Sequence, residues 1–179
     1  MTPTTVVAAV LAAAAVEAPA ALVRLVEPWA SLYADSTPVA TIVVFGHIAA
    51  LMVAGGLAIT IDRGTLRALR NADQRSAHLP TLAASHRVVI PGLVASAVTG
   101  VLMFAADLEA YFVSPIYWTK MTLVALLLAN GYAMTRIESS MRSGTETDAA
   151  WKRLALSARA SLFFWFATAF VGVALVNAG

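Results

Sequence analysis

Few side chains in this sequence could do chemistry in an apolar setting, and His47 is the first of them. It stands in TIVVFGHIAALMVAGGLAITIDRG, residues 41–64, an otherwise nearly unbroken apolar run. An ionisable group inside such a run marks a functional site by default, because a polar group left unsatisfied in hydrocarbon is expensive. A neutral imidazole can ligate haem iron or copper through one ring nitrogen, relay a proton, or hydrogen-bond across a helix bundle to Thr99, Thr122 or a backbone carbonyl. Lys120, early in another apolar run, could pair with an anionic substrate group or a haem propionate, or snorkel to the headgroups. Met52, Met103, Met121 and Met134 offer thioethers, soft donors for copper(I), although methionine also serves as filler in apolar helices.

Depth groups some of these residues. With about 1.5 Å of rise per residue, His47 lies about 6 Å to the outer side of the middle of a span at 41–61, and Lys120 about 9 Å out on a span at 116–135. Gly100 and Met103 fall about 5 and 10 Å out on a span at 88–105, and Met121 adjoins Lys120. His86 lies roughly 20 Å inward of His47 by the same rise, which argues against one haem held by both. Met52 is five positions from His47, about 140° round a helix, and so sits on another face. Beside His47 runs a stripe of Ala50, Leu51, Ala54, Gly55 and Ala58, and the 88–105 span carries Gly92, Ala95, Ser96, Thr99, Gly100 and Met103. Such stripes let helices approach closely; beside an imidazole they could also leave room for a flat group such as haem.

The elements that must position these residues follow from composition. Of 179 residues, 60% are hydrophobic and 12% charged, with a mean hydropathy of +0.78, whereas ordinary soluble domains are about 25% charged. The charges cluster and leave runs at 41–61, 88–105, 116–135 and 162–176, about the length that crosses a hydrocarbon core near 30 Å thick. Backbone groups in lipid must bond within their own segment, so each run reads as a helix. The expectation is an all-α integral membrane four-helix bundle forming one domain over residues 1–179.

Arg63, Arg67, Arg70, Arg75 and Arg87 lie between the first two runs, and Arg136, Arg142, Lys152, Arg153 and Arg159 between the last two. The positive-inside rule puts both connections in the cytoplasm as solvated loops, the first with a second reading as a binder of acidic headgroups. Asp107 and Glu109, flanked by Tyr111, Phe112, Tyr117 and Trp118, then mark the outer interface. The N-terminal segment, 1–37, is helical in either of two ways. Leu22, Leu25, Val26, Trp29, Leu32 and Tyr33 recur at helical spacing and read as an amphipathic helix at the outer interface. Residues 4–23 could instead form a fifth span or a signal-peptide core.

Several chemistries are excluded. There is no cysteine, so disulfides and thiol chemistry are absent. A net charge of +2 is too small to suggest nucleic acid, and no nucleophile elbow, P-loop, paired carboxylates or nucleotide-binding glycine motif is visible. His78 and His86, eight residues apart, carry no metal-site spacing. Asn130 reads as an interhelical hydrogen-bonding residue.

From Trp29 to Tyr132, PWASLYADSTPVATIVVFGHIAAL, DRGTLRAL and PGLVASAVTGVLMFAADLEAYFVSPIYWTKMTLVALLLANGY resemble an uncharacterised family of small bacterial four-helix membrane proteins. The segment TGVLMF…YWTKMTLVALLLAN is similar to the membrane domain of copper-resistance protein D. An early histidine in one helix and an early lysine in a later one resemble, more distantly, the membrane haem-binding protoporphyrinogen oxidases. The resemblance implies a bacterial inner-membrane protein in which His47 and Lys120 match the family histidine and lysine.

Together these readings lead to a haem b-binding, cytochrome-like electron-transfer protein. Its outer-half pocket would hold His47 as axial and metal ligand, Lys120 as anion partner, Gly100 and Met103 as boundary, and Met103 or Met121 as a second ligand. Its partners would be the lipid bilayer, a quinone or periplasmic redox protein, and further subunits of a homo- or hetero-oligomer. Copper handling at the same pocket and a cofactor-free scaffold or accessory subunit are the alternatives. The charge distribution places the C-terminus in the periplasm, so a reporter fused after Gly179 that works only outside the cytoplasm should be active; activity of a cytoplasm-only reporter would reverse the orientation.

Overall fold

The computed structural model describes residues 17–144 and 146–178, and all its regular structure is helical, with no strand among the described residues. In chain order the helices are α1 (Ala20–Asp35), α2 (Thr37–Arg70), α3 (Arg75–Ala106), α4 (Leu108–Val113), α5 (Pro115–Arg142) and α6 (Asp148–Ala178), with a 3₁₀ turn at Ala72–Gln74 before α3. Proline within the first two positions opens both α2 and α5, where its missing N–H costs nothing and its fixed φ suits the helix. Ser114 caps α5 by accepting from the Tyr117 N–H at 3.2 Å. Gly144, at φ +104°, turns the chain after α5, a conformation natural only to glycine.

α2, α3 and α6 are long and apolar enough to cross a membrane. α5, at 28 residues, lies beside them, but Lys120 and Asn130 dilute its apolar run. The long helices form an incomplete ring. α2 packs along α3 and also along α6, α6 packs along α5, and α3 and α5 barely meet. Residues facing out of the ring are large and apolar, including Ile42, Phe45, Val94, Val98, Phe163, Phe166 and Phe170. Such a surface suits hydrocarbon rather than water.

The small-residue stripes are used for close approach. A Cβ placed on Gly92 would lie 2.9 Å from Ala54 Cβ and 3.4 Å from the Ala50 carbonyl, and one on Gly55 would lie 3.1 Å from the Trp165 ring. At the inner end of the ring a larger core forms, with Ala68, Trp151, Leu154 and Ala158 wholly buried and Leu82, Met134 and Met141 nearly so.

That core corrects the expectation of solvated loops. α2 continues to Arg70 and α3 begins at Arg75, so 62–87 is helical apart from the turn around Asn71–Gln74. α5 likewise runs to Arg142, and α6 begins at Asp148. The cause is amphipathicity: Ile61, Thr65 and Ala68 face the core while Arg63, Arg67 and Arg70 face out, so apolar burial extends each helix beyond its hydrophobic run. Both basic connections do lie at one end, because Arg75 Nη1 bonds Asp148 Oδ1 at 2.6 Å and stacks 5.3 Å above Trp151.

α1 is a helix, as the spacing of its apolar residues implies, and it rests on the outer ends of α3 and α2. Trp29 Nε1 donates to the Leu102 carbonyl at 2.8 Å, and the ring leans on Tyr33 at 5.9 Å. Leu22, Leu25 and Leu32 stay exposed. Sixteen residues rise about 24 Å, short of the roughly 30 Å hydrocarbon core, so α1 alone does not span. The alternative reading of residues 4–23 as a fifth span falls mostly outside the described residues.

Because α2 and α3 touch at Gly92, Gly92→Val should lower stability by about 1–3 kcal/mol through overpacking. Gly56, with nothing within 4 Å of an added Cβ, should accept alanine with no loss or a gain of about 0.5–1 kcal/mol. Thermal unfolding of the two variants in one detergent measures the contrast.

Candidate functional site

Three helices contribute to the surroundings of His47. α2 supplies the imidazole, and α3 presents the backbone and side chains of one turn to it. His47 Nδ1 lies 3.0 Å from the Ser96 carbonyl oxygen, 3.1 Å from Thr99 Oγ1 and 3.5 Å from Ser96 Oγ. A carbonyl can only accept, so Nδ1 carries the hydrogen. Thr99 donates its own hydroxyl hydrogen to the Ala95 carbonyl at 2.8 Å, which leaves its oxygen free to accept. The other ring nitrogen, Nε2, then holds a lone pair, with no hydrogen-bond partner among the described residues.

Gly100 lies at the ring's edge, where an added Cβ would stand 3.4 Å from His47 Cε1. Lys120 reaches from α5 towards α6: its Nζ is 3.5 Å from where a Cβ of Gly172 would stand. It is half-buried, turned into the ring rather than out to the headgroups, and near enough to act electrostatically on His47. Two glycines therefore make room for the two polar side chains.

The remaining expected residues divide. Met103, one turn outward of Gly100 on the same face, and Met121, about 100° round α5 from Lys120, are both partly buried. No hydrogen bond links either to His47 among the described residues. Met52 is 71% exposed and turned away, as its spacing implies, and Met134 belongs to the inner core. Thr122 donates to the Trp118 carbonyl of its own helix at 2.9 Å and leaves His47 to Ser96 and Thr99. His78 bonds Thr65 at 2.8 Å, and His86 pairs with Glu138 at 3.4 Å, so these two histidines serve different places. No group of three His, Asp or Glu side chains converges in the manner of a metal cluster among the described residues.

Asn130 acts as expected: its Nδ2 donates to the Ser157 carbonyl at 3.0 Å, and Ser157 Oγ donates to Asn130 Oδ1 at 2.9 Å. Sequence reasoning did not single out Gly172, which has no chemistry of its own, nor Asp62, which stood in an expected loop.

An aromatic cluster lies beyond the site at the outer end. Phe104 stacks on Tyr117 at 5.0 Å, and Tyr111 leans on both at 6.3 and 5.4 Å. This is where α3 and α5 are bridged: Phe104 adjoins Met103, and Tyr117 lies about one turn outward of Lys120. Burial, with Asp107 and Tyr33 beside it, pushes the Tyr111 phenol above its ordinary value, so the ring stays neutral as part of an apolar roof.

No protein-family model, curated protein or solved structure matches this chain.

The Ser96 carbonyl dictates one tautomer. Nitrogen-15 spectra of histidine-labelled protein, assigned by the signal lost in His47→Gln, should show His47 protonated at Nδ1. A bare Nδ1 would contradict the hydrogen-bond geometry.

Proposed function

We propose that this chain is a haem b-binding electron-transfer protein of the bacterial inner membrane. In this reading α2, α3, α5 and α6 form a four-helix membrane bundle, with basic turns in the cytoplasm and the C-terminus in the periplasm. The observation that carries the reading is the Nδ1–H of His47 fixed on the Ser96 carbonyl. Metal-ligating histidines are held in this way, one nitrogen tied to an oxygen acceptor and the other left free for the metal.

The residues present would supply one imidazole nitrogen to such a group. His47 Nε2 would hold the iron, and the Lys120 ammonium would neutralise an anionic edge of the group. The loosely closed side between α3 and α5 offers entry from the lipid. Met103 and Met121 are the remaining candidates for a second ligand, at the edge of the same layer. When bound, haem b supplies one-electron chemistry. The chain's part is to orient the imidazole through Ser96 and Thr99, place a positive charge nearby, and exclude water with the Phe104–Tyr111–Tyr117 cluster. A quinone or a periplasmic redox protein is the partner class that such a pocket in the outer half would serve.

The test is optical. Protein purified in detergent after expression with ample haem should show a Soret band that is lost in His47→Ala, while helicity is kept. Lys120→Met should retain the band with weaker haem retention. A colourless wild-type protein overturns the haem reading, and stoichiometric copper in elemental analysis would replace it with metal handling.

A further inference from the structure

The inner part of α2 buries a carboxyl that the outer pocket does not use. Asp62 is 2% exposed. Ser161 on α6 lies beside it, and its Oδ2 has no protein partner. The other buried acid at this end is treated differently: Glu138 lies between His86 and Arg142, each at 3.4 Å. No ion pair reaches Asp62 among the described residues. Arg63 and Arg67 on its own helix are exposed, as are Lys152, Arg153 and Arg159 on α6, and Arg75 on α3 is bound to Asp148. A carboxylate desolvated there beside a single neutral hydroxyl would be an uncompensated charge, which protein interiors avoid by taking up a proton. An orphaned oxygen in a buried polar setting is also where proteins hold internal water.

A line of polar groups leads away from this carboxyl. Thr65 follows three residues along α2, on nearly the same face, and is wholly buried. Its Oγ1 lies 3.2 Å from the Ile61 carbonyl and 2.8 Å from His78 Nε2. His78 is only half-buried, and its ring occupies space left by Gly64, where a Cβ would stand 2.7 Å from Cε1. The imidazole thus joins the exposed inner end of α3 to a hydroxyl inside the bundle.

We infer that Asp62 is a proton-binding site, loaded from the inner side through His78 and Thr65. A proton arriving at His78 Nδ1 releases the one on Nε2 to Thr65 Oγ1. The threonine's own hydroxyl proton passes through a water to Asp62 Oδ2. One N–H bond breaks at Nε2 as one O–H bond forms on the carboxyl, and no electrons are exchanged. The ligand is a proton with a bridging water, and the site does not depend on what the outer pocket holds.

Infrared spectroscopy of the full chain in lipid nanodiscs tests this. Near neutral pH the protein should show the carbonyl stretch of a buried carboxylic acid, lost in Asp62→Asn and shifted in Asp62→Glu, which keeps the carboxyl should the amide fold poorly. Transfer to D₂O should shift the band promptly in wild type and several-fold more slowly in Thr65→Val and His78→Leu. A merely structural role for Thr65 and His78 would not alter that rate. Thr168→Val, which removes the other orphaned hydroxyl two turns further out on α6, should leave the band unchanged. The inference is overturned by a wild-type protein without the band, by its survival in Asp62→Asn, by exchange equally fast in Thr65→Val, or by a carboxylate signal that depends on sodium.

Discussion

The approach of α2 to α3 is the constraint on which the setting of His47 depends. Gly92 faces Ala54 with no room for a side chain between them. One to two turns outward on α3, and two turns outward on α2, the same two faces bring Ser96 and Thr99 against His47, and Gly46 against the Thr99 methyl at 3.5 Å from an added Cβ. A hydrogen bond at 3.0 Å tolerates only a few tenths of an ångström before it weakens. The hold on Nδ1 is therefore set two turns inward, by a glycine and an alanine that never touch the imidazole. Dispersion supplies the adhesion, since lipid tails remove any hydrophobic drive between helices.

The ring of helices is strong on three sides and weak on the fourth. Between α3 and α5 the described contacts are the aromatic cluster at the outer end and the His86–Glu138–Arg142 group at the inner end. α2 with α3 and α5 with α6 behave as two hairpins joined through α2 and α6, where Trp165 packs against Gly55. A hydrophobic ligand reaching His47 from the side needs movement of α5 relative to α3. The rings of Phe104, Tyr111 and Tyr117 are the groups that such a movement would part.

Much of the architecture was legible in the sequence because hydrophobic run length and charge clustering are one-dimensional signals. The four runs fall within α2, α3, α5 and α6, and the two basic stretches fall at one end. The helical extensions at 62–70, 75–87, 136–142 and 148–161 were not legible as helix, because their arginines mask a narrower apolar stripe that becomes visible only against Trp151 and Leu82. The site was partly legible for a related reason. His47, Gly100 and Lys120 could be matched by depth along three straight spans, and Thr99 was foreseen as a partner. That the Ser96 carbonyl receives Nδ1, or that Lys120 turns towards Gly172, depends on helix rotation, which spacing alone leaves open. Asp62 escaped notice because burial, not residue type, makes it unusual.

The buried polar residues show which of them the fold needs. Asn130 and Ser157 satisfy each other in both directions, and Glu138 has His86 and Arg142 as partners, each at 3.4 Å; these are sets that tie helices together. Interhelical hydrogen bonds in membranes contribute only about 0.6 kcal/mol on average, so such ties suffice for register but add little to stability. His47 and Asp62 are different. His47 is held from one side only, through Ser96 and Thr99, Asp62 has only the Ser161 hydroxyl beside it, and each keeps a polar atom without a protein partner among the described residues. An alanine at either position would spare the desolvation that folding imposes. A chain that places an imidazole and a carboxyl under those terms gains nothing in stability from the unpartnered atoms.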